Sequence, residues 1–108
     1  MAEPGIVVTV LFPLKPEHAD AVCAQLAAMV EDTAKRPGFR DVEIIRHSDD
    51  PGKVLFFEHW DDAESYQRYI DWRTERGDMG AMAELMTGPP VIQIWPRRVV
   101  RMAAKAAA

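Results

Sequence analysis

The run Lys53-Val54-Leu55-Phe56-Phe57-Glu58-His59-Trp60 reads as a β-strand that is apolar on both faces. Val54, Phe56, Phe57 and Trp60 are of the β-branched and aromatic types that favour a pleated backbone. Side chains alternate along a strand, so Val54 and Phe56 point one way and Leu55 and Phe57 the other. Immediately before it, Asp49-Asp50-Pro51-Gly52 is a turn signal. Before that turn, Phe39 to Ser48 alternates Val42, Ile44 and Arg46 with Glu43, Ile45 and His47. Two strands joined by so short a connection form an antiparallel hairpin.

The same pattern extends outward from the hairpin. On the C-terminal side, Asp61 or Asp62 offers a helix N-cap, with Glu64 and Ser65 in the first turn. The spacing predicts a helix from about Ala63 to Arg76. Gly77 and Gly80 interrupt it, Ala81 to Met86 reads as a short second helical piece, and Gly88-Pro89-Pro90 ends that piece. Val91 to Trp95 is the last strand, closed by Pro96. On the N-terminal side, Ile6 to Phe12 is a strand ending at Pro13. Ala19, Val22, Leu26, Met29, Val30 and Thr33 then recur at helical spacing. Pro16 suits the first turn of that helix, Lys35 and Arg36 its last, and Pro37-Gly38 stops it.

The order is β-α-β-β-α-(α)-β. It specifies an α+β, ferredoxin-like βαββαβ fold, a four-stranded antiparallel sheet with the helices on one face. Residues 1–108 make a single domain with a core over 5–97 and a basic, alanine-rich tail over 98–108. Within the tail, Met102 to Ala108 is unpatterned, a frayed helix or a remnant.

A chain of 108 residues with 48% hydrophobic and 28% charged residues is an ordinary globular mixture. Its net charge of -4 argues against nucleic acid or an anionic membrane surface, both of which reward clustered cations. Cys23 stands alone, which excludes an intrachain disulfide and fits a reducing cytoplasm. Met1 to Gly5 carries no basic segment leading into an apolar run, so no signal peptide is expected. No His-x-x-x-His or carboxylate facial pattern occurs, and no metal is expected.

Helices cover only one face of such a sheet, yet the first and third strands are apolar on both. An antiparallel sheet with a wet face would alternate with polar residues instead. The second apolar face therefore calls for a partner, and a second copy of the same sheet supplies it. The expectation is a homodimer with the two sheets face to face.

Several of these residues also carry a family resemblance. A strand leading into Pro16-Glu17, a helix ending at Arg36-Pro37-Gly38-Phe39, and the run Val54 to Asp62 with its Glu58-x-Trp60 pattern before Ala63-Glu64 resemble the antibiotic biosynthesis monooxygenase family. The resemblance covers roughly residues 5–97. It implies a dimeric α+β barrel with a pocket between the sheet and the second helix. It further implies a cofactor-independent monooxygenase acting on an aromatic or quinol-like small molecule, without metal or flavin, because the bound, deprotonated aromatic itself activates dioxygen. The protein then supplies an apolar cavity, a proton acceptor and donors for developing negative charge. Haem-degrading members share an Asn on the first strand, a Trp on the second helix and a His after it. Here the matching positions hold Thr9, Tyr69 and the Asp78-Met79 neighbourhood, so haem degradation is not expected. Asp78 also stands where many quinol-type members carry a His.

The second helix holds the first candidates. At about 100° per residue, Ala63, Tyr66, Ile70 and Arg73 share a face, Tyr69 borders it, and Trp72 lies toward the rim. Arg73 either snorkels out or pairs with Glu58, or else it faces the pocket and stabilises an enolate or phenolate. Tyr66, Tyr69 and Trp72 are either core packing or pocket walls. His59 neighbours Glu58 on the strand but points to the opposite face, and it is the best-placed base among the three histidines. The polar candidates are Arg73, His59 and Asp78 for catalysis and Thr9 for binding. Tyr66, Tyr69, Ile70, Trp72, Met79 and Trp95 are the candidate walls. A non-catalytic small-molecule-binding or stress-related dimer using the same pocket is the alternative. Isomerase or lyase chemistry on a lactone is a third possibility.

Overall fold

The structure is a computed structural model that describes residues 4–106. Strands β1 (Ile6–Pro13), β2 (Phe39–Arg46), β3 (Lys53–Trp60) and β4 (Val91–Trp95) form one antiparallel sheet in the order β2-β3-β1-β4. Helices α1 (Ala19–Thr33), α2 (Ala63–Glu75) and α3 (Asp78–Ala83) complete it. This is the expected α+β, ferredoxin-like arrangement. β3 lies at the centre beside β1, as its doubly apolar sequence requires.

Local chemistry fixes the ends of the elements. Pro16 opens a single 3-10 turn, Pro16–His18, that leads into α1 rather than forming its first turn. The Asp62 carboxylate caps α2 by accepting from the Ser65 backbone N–H at 2.8 Å. That bond also holds the Asp62 carboxyl below its ordinary value. Gly38, at φ 84°, lets the chain turn from α1 into β2 directly against α2; a Cβ there would lie 2.3 Å from Ser65 Oγ.

Two further expectations are corrected. The second strand ends at Arg46, because His47 folds into the turn, where its Nδ1 accepts from the backbone N–H groups of Asp49 and Asp50. The short helix runs over Asp78–Ala83 rather than Ala81 to Met86. Gly77, at φ 83°, makes the break alone, and Gly80 stays helical. Residues 98–106 of the tail form no helix, and Ala107 and Ala108, like Met1 to Glu3, lie outside the described residues. No helix of the described residues is long and apolar enough to cross a membrane.

All helices lie on one side of the sheet. Alternation places Ile6, Val8 and Val10 of β1 on that side with Val54, Phe56, Glu58 and Trp60 of β3. One cluster joins Val54 to Ala19, Val22 and Leu26 of α1, and a second joins Ile6, Val8, Val10 and Trp60 to Tyr66 of α2. The other side carries Val7, Thr9, Leu11, Leu55, Phe57 and His59 on the two central strands. Among the described residues nothing covers it, and Ile45, Val91 and Trp95 on its flanking strands are each 50% exposed.

Candidate active site

The helix-covered side encloses a narrow apolar cleft of about 60 Å³ between the sheet, α1 and α2. Phe12, Phe56, Leu26, Met29, Ile70 and Met82 make its walls. It opens past Met79 and Met82 into a wider trough of about 400 Å³ beside Gly88-Pro89-Pro90. A single water needs roughly 10–15 Å³, so the cleft alone has room for several small groups.

Five polar side chains reach this cleft: Glu58 from β3, Tyr66, Tyr69 and Arg73 from α2, and Asp78 from α3. Arg73 is 4% exposed and is held from several directions. Its Nε donates to the Tyr69 hydroxyl at 3.1 Å and its Nη1 to Asp78 Oδ2 at 2.9 Å. Its Nη2 donates to the Met29 carbonyl at 3.1 Å and to Thr33 Oγ1 at 3.0 Å. Burial opposes the Arg73 charge, but the bonds to Asp78 and Tyr69 outweigh it and keep the guanidinium cationic. The ion-pair partner is thus Asp78 rather than Glu58. The left-handed turn at Gly77 brings Asp78 back over the end of α2, where it also approaches Arg76 Nε at 3.5 Å.

Glu58 is the residue that sequence reasoning missed. It is 3% exposed, and its Oε1 accepts from Trp60 Nε1 at 3.0 Å. Desolvation pushes its pKa from 4.5 up to about 7, against the opposing pull of the Trp60 hydrogen bond. Among the described residues its Oε2 has no hydrogen-bond partner, and it is not sealed from the cleft. The Tyr66 hydroxyl is likewise without a hydrogen-bond partner among the described residues. Burial first, then the charges of Glu58 and Tyr69, raise its pKa, so it stays a neutral phenol. A signal was present in the sequence. Glu58 shares its face with Phe56 and Trp60, so a core Trp60 implies a carboxyl turned toward the helices.

The structure brings together Tyr66, Tyr69, Ile70, Arg73, Asp78 and Met79. It does not bring Thr9, His59 or Trp95 to them. All three project from the opposite face of the sheet, where Trp95 Nε1 donates to Thr9 Oγ1 at 2.9 Å and His59 Nδ1 lies 2.6 Å from Asp41 Oδ1. A β-sheet separates His59 from the cleft, which corrects its assignment as the site's base. Trp72 is also outside the lining. It packs behind Arg73, with the Arg36, Arg73 and Arg76 guanidiniums 4.6, 4.8 and 4.6 Å from its ring centroid. Tyr66 and Tyr69 are both packing and wall, since each meets the Trp60 ring, at 5.6 and 5.0 Å, while facing the cleft.

The profile of the antibiotic biosynthesis monooxygenase family matches residues 5–71. The chain belongs to this family. The match takes in β1 to β3 and most of α2, including Glu58, Tyr66 and Tyr69, and stops short of Arg73 and Asp78. This family member also resembles solved structures. A conserved protein from Methanosarcina mazei Go1 superposes with a TM-score of 0.77 at 20% identity, over 87% of this chain and 93% of that one. A monooxygenase from the gene ActVA-Orf6 of Streptomyces coelicolor, in complex with the ligand nanaomycin D, gives 0.73 at 21% identity over 93% of both chains. A protein of unknown function from Nitrosomonas europaea gives 0.75 at 18% identity, over 94% of this chain and 96% of that one. At these identities the likeness concerns the fold. No curated protein matches the chain.

Proposed function

We propose that this family member is a cofactor-independent monooxygenase acting on an aromatic or quinol-like small molecule, and that it works as a homodimer. The observation that carries this reading is the cleft itself: apolar walls around a buried carboxyl with one oxygen left over from its Trp60 bond and a phenol without a partner, backed by a fixed guanidinium. The family membership and the monooxygenase among its structural relatives support the same reaction class.

The reaction balances without an external reductant. A phenol with a free ring position and dioxygen give a quinone and water, one oxygen atom entering the ring and the other leaving as water. Both electron pairs that dioxygen accepts come from the substrate. The chain's task is then to seat the ring, take up the hydroxyl proton and stabilise the anion that results. Tyr69, held by Arg73 and Thr33, is a rigid hydroxyl at the cleft wall. Arg73 adds a positive field tempered by Asp78. In this arrangement Asp78 serves to hold Arg73 rather than to exchange protons with substrate. The ring's bulk faces the methionine-lined trough, whose flexible side chains suit varied apolar outlines.

The dimer is supported by the uncovered sheet face, where Leu11, Leu55, Phe57, Ile45 and Val91 form an apolar surface. Oxygen uptake with a panel of hydroquinones and hydroxynaphthalenes, with no added metal or flavin, tests the activity. Turnover above the uncatalysed rate is expected. Saturable binding without any uptake would instead favour the non-catalytic binding protein.

A further inference from the structure

We propose that Glu58 Oε2 and the Tyr66 hydroxyl together read the hydroxyl of a neutral hydroxyarene, Glu58 accepting its proton and Tyr66 donating to its oxygen. The inference assigns the cleft's proton acceptor and its hydroxyl donor, and rests on that cleft being the small-molecule site proposed above.

The two groups are the cleft's unengaged polar atoms of opposite kind. Glu58 keeps one oxygen for Trp60, which fixes the carboxyl's orientation and leaves the other toward the cleft. Tyr66 comes from the facing helix, packs edge-on against the same Trp60 ring at 5.6 Å, and is close enough to Glu58 for their charges to couple. An acceptor on the sheet and a donor on the helix, both lining one cleft, match a single C–O–H group, which offers one proton and one acceptor oxygen.

Charge balance selects a neutral ligand. Arg73 is the cation at the cleft and Asp78 already neutralises it at 2.9 Å. A carboxylate or phosphate would enter an apolar cleft beside Glu58 with no free countercharge. A hydroxyarene brings no charge in. When its O–H bond breaks, the proton moves to Glu58 Oε2 and the electron pair stays on the ring oxygen, so one negative charge shifts from carboxyl to ligand and the total is unchanged. Tyr66 then donates to the oxyanion.

Every element around the cleft contributes groups that share it with Glu58. α2 contributes Tyr66, Tyr69 and Arg73, and α3 contributes Asp78. β1, β4 and α1 contribute the apolar Val10, Ile92, Leu26 and Met29, and the register partner on β2 is Val42. With its pKa at about 7, Glu58 is mostly carboxylate above neutrality and mostly acid below it.

The test is equilibrium binding, under argon, of 2-naphthol and of 2-methoxynaphthalene, which has the same rings and oxygen but no proton. The wild-type protein is expected to prefer naphthol by about tenfold or more when Glu58 is ionised, the worth of a hydrogen bond to a charged group. That preference should fade as pH falls below neutrality. Glu58→Gln should abolish the pH dependence, while Tyr66→Phe should weaken both compounds alike. Equal binding of the two compounds at alkaline pH, an undiminished preference in acid, or no saturable binding of either overturns the proposal. The wild-type pH series needs no variant, so a folding defect cannot mask the answer. Because no dioxygen is present, a naphthol preference without later turnover would sink the oxygenase reading and leave this one standing.

Discussion

Trp60 and Glu58 lie two residues apart on β3, point to the same side of the sheet, and are joined by a 3.0 Å hydrogen bond from Nε1 to Oε1. Trp60 is fully buried, and Tyr66, Tyr69 and Phe39 all pack on its ring. The indole therefore serves as a rigid mount, and the carboxyl it holds cannot swing to solvent to relieve its desolvation.

That immobility has a consequence for stability. A carboxyl raised in the folded state is held protonated there, so folding takes up a proton over the interval between its two values. Its contribution is full below the ordinary value of 4.5 and is lost as pH rises to about 7. The interval corresponds to about 3 kcal/mol at 1.36 kcal/mol per pH unit. Denaturant unfolding of wild type and Glu58→Gln should show the wild type losing roughly this amount relative to the variant between about pH 4 and pH 8. A constant difference across that range would mean that Glu58 ionises freely.

Arg73 is the second buried charge, and its removal should be expensive. Arg73→Leu would remove one donor from each of Asp78, the Tyr69 and Thr33 hydroxyls and the Met29 carbonyl, and would leave a buried guanidinium site empty. A loss of about 3–5 kcal/mol is expected, as for other broken buried ion pairs. Asp78→Asn should cost less, since Asp78 is 26% exposed and an amide oxygen can still accept from Arg73. Chemical denaturation of both variants and their double mutant checks the coupling, and equal costs would contradict the asymmetry.

Gly38 tests the packing that seats α2. An alanine would have to hold φ at 84° and place its Cβ 2.3 Å from Ser65 Oγ. Gly38→Ala should lower stability by about 2 kcal/mol or more. Gly77→Ala has the same backbone strain but open space around it, so it should cost only about 1 kcal/mol. Thermal melts of the pair separate strain from collision.

The architecture was legible because the period of the apolar residues changes cleanly. A β-branched run marks β1 and an apolar, aromatic-rich one β3, and a 3.6-residue stripe marks α1 with Ala19, Val22, Leu26 and Thr33 buried as expected. The short helix was harder. Gly77 and Gly80 look alike in sequence, and only the backbone shows that Gly77 turns left-handed while Gly80 does not. The site was half legible. Helical spacing groups Tyr66, Ile70 and Arg73 with Tyr69 at their border, and all four line the cleft, but two-residue alternation says only which strand residues share a face, not which face the helices cover. Thr9, His59 and Trp95 were therefore grouped with the cleft, while Glu58 was passed over. The pairing of Arg73 with Asp78 depends on the turn at Gly77, which no spacing rule reveals.

The open sheet face carries the prediction about assembly. Leu55→Lys places a charge in the middle of that face without touching the cleft. If two sheets meet there, wild type should scatter light as a dimer at micromolar concentration and the variant should shift toward monomer. A monomeric wild type would remove the dimer from the account.

A single turnover with labelled dioxygen tests the central claim most directly. With a hydroxynaphthalene as substrate and neither metal nor flavin added, mass spectrometry should find one labelled oxygen atom in each quinone formed and the other in water. Glu58→Gln should form far less of that product. Product carrying no label, or label appearing at the same rate without the protein, would contradict the account.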